Sequence, residues 1–414
     1  MRLLILFILA TSATAQKISY ENYKVYQVVP SNEKHVEVLK MFEDNPNIDF
    51  WTGLYRSIQP VNVMVPPKLQ SKFEAILNQH KIYYKMVLEN VEKMINEERQ
   101  SQSEAASKAS GEISFDKYYR YSEVQDYLIR LSREKPDLVK LENYGLSYEN
   151  RTLTLIRVSS GGNDKKPVIF VDGGIHAREW IAPAQVLYII NQLLESSESQ
   201  NMIQNIDWVI IPVLNPDGYE YTHTTDRFWR KTRSKGAVCD GVDPNRNFDY
   251  HWMGPGSSND ECSNTYAGPT PFSEPETLAL SKVIKRFAHR TKMYLSFHSA
   301  AKSYLYPWGY TSELPPNADE LHSLAVESER AISAVNGTRY KIGSSFNILS
   351  PASGSSRDWA YGAAAINLSY TMELPPGGEN RFDLPPEEIL GVVTEMFEGV
   401  KVFHEYVKEE YSKI

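Results

Sequence analysis

The sequence predicts an α/β protein: a mixed, mainly parallel sheet with helices on both faces, preceded by a small α/β unit of ferredoxin-like type. Three observations predict it. From Ser114 onward, short apolar β-rich runs alternate with long helical patterns, and that alternation implies a mainly parallel sheet covered on both sides. The chain has 414 residues, enough for one large domain and a smaller one. Between the two, after Leu88, the composition turns charged and poor in apolar residues.

In the small unit, Lys24–Val29 reads as a strand. Ser31 can cap a helix with Val36, Leu39 and Phe42 on one face. Ile48–Trp51 and Val61–Val65 read as further strands. Pro66-Pro67 opens a helix that turns Leu69, Phe73, Ile76 and Leu77 inward, and Tyr83–Leu88 closes the unit as a strand. The stretch from Glu89 to Glu112 has little apolar face with which to join a core. It reads as an exposed linker, with Arg99 and Lys108 as sites for a trypsin-like endopeptidase. In the large unit, buried strands are expected at Pro167–Asp172, Trp208–Leu214, Lys292–Phe297 and Leu368–Leu374. Helices are expected near Pro183–Leu194 and Pro385–Lys408.

The first 15 residues have the form of a secretory signal. Arg2 precedes the apolar run Leu3–Ala10, and Ala13-Thr14-Ala15 offers small residues for cleavage before Gln16. The run is too short to span a bilayer. An extracellular protein without a membrane anchor is therefore expected. The formal net charge of -8 comes without a basic stripe, which argues against nucleic acid as a partner. Cys239 and Cys262 are the only cysteines. An isolated pair in a secreted chain usually forms a disulfide. Three sequons occur, at Asn150, Asn336 and Asn367; the last falls in an expected buried strand.

Ligand sites of α/β sheets lie beyond the carboxyl ends of the strands. There the sequence places His176 and Glu179, three residues apart, and, at another strand end, His298. Two histidines and a glutamate form a catalytic zinc set that leaves a fourth position for water. Each piece alone is common, and a strand-end histidine is more often a satisfied polar residue than a ligand. No Gly-x-Ser-x-Gly elbow of a serine hydrolase is present.

The order of longer motifs is more specific. Gly174-Ile-His-Ala-Arg-Glu-Trp-Ile-Ala-Pro183, Pro212-Val-Leu-Asn-Pro-Asp-Gly-Tyr219, Arg227-Phe-Trp-Arg-Lys-Thr-Arg233, Gly241-Val-Asp-Pro-Asn-Arg-Asn-Phe248, His298-Ser299 and Thr371-Met-Glu-Leu374 follow one another. Together they resemble the zinc metallocarboxypeptidases of the pancreatic A/B type, from about Phe115 to the C-terminus. The upstream unit resembles that family's inhibitory prosegment. The resemblance implies residues 1–15 as signal peptide, 16–108 as prosegment with its connecting linker, and 109–414 as catalytic domain. It implies one zinc ion per chain held by His176, Glu179 and His298, with Glu373 as general base and Arg230 on the oxyanion. Asn245 and Arg246 would clamp the terminal carboxylate of a peptide or protein substrate. Arg178 and Ser299 would contact substrate, and Asp243 would orient His176. Cys239 and Cys262 match a family disulfide that brackets the clamp loop. A monomer is expected.

Side-chain selection in that family depends on the residue before an Asp-Trp pair, here Arg357 before Asp358-Trp359. A guanidinium there should favour a terminal Glu or Asp and repel Lys and Arg. Pairing of Arg357 with Asp358, or a turn of its side chain to solvent, is the competing arrangement. Phe382 matches a pocket wall. Two positions depart from the family pattern: Ser350 stands where a mobile Tyr is usual, and Ala300 where another Tyr is common. These departures keep open a catalytically weak, zinc-containing peptide-binding protein, and a preference for apolar or aromatic terminal residues is the other alternative.

Overall fold

The computed structural model describes residues 17–43, 45–51, 59–108, 113–162, 165–377 and 382–412. The expected signal peptide and connecting residues 109–112 lie outside the described residues.

The small unit runs β1 (Lys24–Val29), α1 (Glu33–Glu43), β2 (Asp49–Phe50), β3 (Val61–Val65), α2 (Pro67–Gln79) and β4 (Tyr83–Leu88). Its strands pair antiparallel in the order β2-β3-β1-β4. Leu39, Phe42, Phe73 and Leu77 from the helices meet Tyr26, Val28, Val63 and Val65 from the sheet. Every expected element is present, with two corrections. The strand expected at Ile48–Trp51 contracts to two residues. The cap of α1 is Asn32, whose Oδ1 accepts from the His35 amide at 3.0 Å; Asn and Ser cap equally well, so the sequence could not choose between neighbours.

The expected exposed linker is instead a docked helix, α3 (Val91–Lys108). Val91, Met94 and Ile95 are buried against Tyr20, Val25, Met64 and Phe228. One turn on, Glu98 is buried in an ion pair with Arg227. The apolar face is only two turns long, so it vanishes when averaged over a polar stretch.

The large unit follows as α4 (Tyr121–Glu134), β5 (Val139–Leu146), β6 (Thr152–Val158), β7 (Val168–Gly173), α5 (Ile181–Glu195), β8 (Asp207–Ile211), α6 (Pro216–Thr224), α7 (Pro275–Phe287), β9 (Thr291–Ser299), β10 (Ser303–Tyr306), α8 (Ala318–Asn336), β11 (Lys341–Ser344), α9 (Ser345–Ile348), α10 (Ser356–Gly362), β12 (Leu368–Leu374) and α11 (Pro386–Tyr411). The sheet order is β11-β10-β12-β9-β7-β8-β6-β5. The four central strands are mutually parallel, and the β5–β6 hairpin and β10 add antiparallel pairs. Side chains alternate between two cores, as strand geometry requires. Ile169 and Val171 of β7 face α4, α5, α8 and α11, while Val168 and Phe170 face α7 and α10. Among the described residues no helix is long and apolar enough to cross a membrane.

The third sequon divides at the edge of β12. Asn367 is exposed, whereas Ser369 is buried and its hydroxyl donates to the Arg357 carbonyl at 2.9 Å.

Glu276, in the first turn of α7, is fully buried, and its Oε1 accepts from the Tyr148 amide at 3.0 Å. Burial, with the nearby Asp217 and Glu274 carboxylates, pushes its pKa from 4.5 up to about 8. The folded chain therefore binds more protons than the unfolded chain between those values, and this group's contribution falls as pH rises through that window. Glu276→Gln keeps the acceptor and removes the titration. Thermal denaturation should find the variant matching the parent at pH 5 and exceeding it at pH 8, with a limit of about 1.4 kcal/mol per pH unit.

Candidate active site

The parallel register sets β7, β9 and β12 side by side, with Gly173 opposite Phe297 and His298 opposite Glu373. After β7 the chain turns at Gly174, where φ is +68° and an added Cβ would lie 3.0 Å from Pro183 Cγ. Only glycine fits both demands. The turn delivers His176 and Glu179 to the end of β9, where His298 waits.

The Nδ1 atoms of His176 and His298 are 3.1 Å apart. Glu179 reaches one with Oε1 at 2.8 Å and the other with Oε2 at 3.1 Å. A tetrahedral ion with bonds of about 2.0–2.1 Å would separate its ligand atoms by about 3.3 Å. Burial pushes His298 down to about 4 despite the opposing charge of Glu179, so its imidazole is neutral at pH 7. Burial alone would raise the Glu179 carboxyl, but the two histidines outweigh it and hold it well below its usual range. Converging imidazole lone pairs beside a carboxylate fit a zinc ion.

The remaining expected residues surround this cluster. Asp243 accepts from His176 Nε2 at 3.1 Å and from the Asn245 amide at 2.9 Å through Oδ1. Its Oδ2 accepts from Arg230 Nη2 at 2.8 Å. Asp243 therefore ties the histidine to Arg230 and to the tight turn Pro244–Arg246. The Asn245 Oδ1 accepts from the Ser356 amide at 2.9 Å, and Arg246 donates to the Gly256 carbonyl at 2.8 Å. Cys239 and Cys262 are disulfide-bonded, and Cys262 lies on the cleft wall. Glu373 is pushed up to about 8 by burial and by the charge of Glu179, against the pull of Arg230, Arg357 and Arg246.

One cleft of about 460 Å³ is lined by His176 and Glu179 together with Arg178, Arg230, Asn245, Arg246, Ser299, Ala300, Ser350, Arg357, Glu373 and Phe382. Ser299 has a second contact that the sequence did not suggest: its amide donates to Glu179 Oε2 at 3.2 Å. Arg357 lines the cleft and also pairs with Asp358, Nε to Oδ1 at 3.2 Å. Two neighbours were missed. Thr371 Oγ1 accepts from Arg357 Nη1 at 3.4 Å, and Gly309 leaves room for the guanidinium, since a Cβ there would lie 2.6 Å from Nη2. Neither residue type signals a site.

A sequence model of the zinc carboxypeptidase family matches residues 124–399, and one of the carboxypeptidase activation peptide matches residues 26–98. The chain belongs to the zinc carboxypeptidase family. It is 37% identical to zinc carboxypeptidase A 1 of Drosophila melanogaster over 98% of this chain and 96% of that protein. It is 46% identical to carboxypeptidase B of Astacus astacus, over 72% of this chain and all of the relative. The crystal structure of carboxypeptidase A from Helicoverpa armigera superposes with a TM-score of 0.90 at 35% identity, covering 96% of this chain and 100% of that one. The chain is thus a procarboxypeptidase, and its small N-terminal unit is the activation peptide.

In this zinc carboxypeptidase zymogen the activation peptide meets the cleft directly. Ile48, Phe50 and Trp51 line its mouth. Asp49 accepts from Arg178 Nη1 at 2.6 Å and from Asn264 Nδ2 at 2.8 Å. Trp51 stacks on Phe228 with centroids 5.2 Å apart and meets Phe382 edge-on at 5.8 Å. Losing the charged contact and the aromatic pair removes about 2 kcal/mol or more, which shifts docking about thirtyfold. The double variant Asp49→Ala, Trp51→Ala should therefore raise peptide hydrolysis by the uncut chain, measured against the uncut parent.

Proposed function

We propose that the chain is a secreted procarboxypeptidase that, once its prosegment is cut away, removes terminal Glu or Asp from peptides and proteins. Residues 1–15 serve as signal peptide, 16–108 as prosegment with its connecting helix, and 109–414 as the catalytic domain, acting as an extracellular monomer. A trypsin-like endopeptidase cuts near the end of α3. Lys108 ends that helix, whereas Arg99 lies inside it beside the buried Glu98–Arg227 pair. Cutting at Arg99 requires local unwinding.

His176, Glu179 and His298 would hold the zinc ion, which would supply a Lewis acid able to polarise a carbonyl and to lower the pKa of water toward about 7. Glu373 would take the proton from the attacking water and return it to the leaving amine. Its place beside His298 supports this role. Arg230 stabilises charge developing on the scissile oxygen. Asn245 and Arg246 hold the terminal carboxylate, and this clamp restricts cleavage to the last residue. Arg178, freed of the prosegment, meets the upstream part of the substrate, Phe382 forms a wall of the pocket, and Ser299 and Ser350 line the same cleft.

The observation that carries the acidic preference is the buried Arg357 guanidinium, held on the cleft that also contains Arg246. A terminal Glu or Asp brings two carboxylates, one for each arginine. Asp358 offsets part of the Arg357 charge, which leaves room for weaker cleavage of apolar ends.

Prosegment-free protein should release Glu from matched peptides ahead of Phe and Lys, and a zinc chelator should abolish release. Arg357→Ala should cut the Glu-over-Phe ratio by about tenfold or more. Faster release of Phe than Glu by the parent would discard the pocket assignment and keep the enzyme. In a separate test, Glu373→Gln should lower kcat by about a hundred- to ten-thousandfold while zinc content stays at one per chain.

A further inference from the structure

The two zinc histidines are held differently at their outer nitrogens. Nδ1 of each faces the metal position, so the ring proton must sit on Nε2. For His176 that proton meets the Asp243 carboxylate directly, at 3.1 Å. For His298 it meets a hydroxyl: Ser296 Oγ lies 3.2 Å from Nε2. The same Oγ lies 2.7 Å from Asp172 Oδ1. A carboxylate only accepts, so Ser296 donates to Asp172 and is left to accept from His298. The direction of both hydrogen bonds is thereby fixed.

Asp172 is the second last residue of β7 and is completely buried. Its other oxygen accepts from the Tyr294 hydroxyl at 2.5 Å. The side-chain partners of this buried carboxylate among the described residues are thus two neutral hydroxyls. Burying a carboxylate costs heavily unless opposite charge compensates it. Zinc, one imidazole and one hydroxyl away, supplies that charge, and hydrogen bonds in such a chain polarise one another.

The geometry points to Asp172 and Ser296 as positioning residues for zinc, acting through His298 as a carboxylate–hydroxyl–imidazole relay. The relay fixes the tautomer and orientation of the ring and raises its basicity. It is the counterpart of Asp243 behind His176, lengthened by one hydroxyl because β9 carries His298 two residues beyond Ser296 on the same side of the strand.

The rival account is that Asp172 merely stitches β7 to β9, since Asp172 and Ser296 are paired in the register. Tyr294 separates the two accounts. It bonds the same carboxylate but does not touch His298. Zinc dissociation constants of the full, uncut chain would be measured by competition with a chromophoric chelator, alongside the visible spectrum of the cobalt-substituted protein. Ser296→Ala and Asp172→Asn should weaken zinc about 10- to 100-fold and shift the cobalt bands. Tyr294→Phe should leave both within about threefold, and Ser296→Thr should restore most of the affinity. Unchanged zinc affinity in folded Ser296→Ala would overturn the relay, as would an equal loss in Tyr294→Phe. A parent chain that retains no zinc would instead overturn the metal assignment, and the relay with it.

Discussion

A carboxylate buried between two imidazoles constrains everything around it. Glu179 is buried, and its two oxygens face the Nδ1 atoms of His176 and His298. With Nδ1 committed to the metal, each ring must place its proton on Nε2 and find an acceptor there. For His176 the acceptor is Asp243, which is itself buried and so draws in Arg230. Asp243 also holds the Asn245 amide, so the turn that carries Asn245 and Arg246 is registered to the metal position. The spacing between the metal position and the Asn245–Arg246 turn is therefore set by one aspartate rather than by loop packing alone.

The sheet makes this concentration of charge tolerable. Central parallel strands are apolar on both faces, and polar residues appear where the strands end. In β9 the run Met293–Phe297 is broken by Ser296 alone before His298. That serine is paid for by Asp172 across the register. The antiparallel additions at β10 and the β5–β6 hairpin extend the sheet on either side without touching the cluster, which leaves the middle three strands to carry it.

The legibility of the chain followed burial. Central strands and long helices announced themselves because apolar runs and 3.6-residue patterns are set by what they cover. β5, β6, β10 and β11 were not identified: β10 and β11 are four residues long, and β5 and β6 intersperse polar with apolar residues, so none forms a continuous apolar run. The metal ligands, Glu373, Arg230, Asn245 and Arg246 stood out in the sequence because each falls at a strand end or turn within an ordered series of motifs. Gly309 and Thr371 did not, because what matters about them is the space and the hydroxyl they give Arg357. The docking of α3 was missed for a different reason. Three apolar residues and one glutamate gain their meaning from Arg227 and Phe228, more than a hundred positions away, and no local pattern encodes that partner.

The docking surface also explains how a separate small domain can silence a site without distorting it. Asp49 and Trp51 engage Arg178, Phe228 and Phe382, on the rim of the cleft. None of their side chains reaches His176, His298 or Glu179 in the hydrogen-bond pattern of the cluster. Inhibition by occupancy leaves the metal position assembled in the zymogen, so activation requires only that contacts be lost. Those contacts are distributed: a charged pair and an aromatic stack at β2, and a buried ion pair on α3. Each alone is worth a few kcal/mol at most, yet because one continuous polypeptide carries them all, the release of one leaves the others at high effective concentration. Severing the link between the activation peptide and the catalytic domain would remove that advantage from every contact at once.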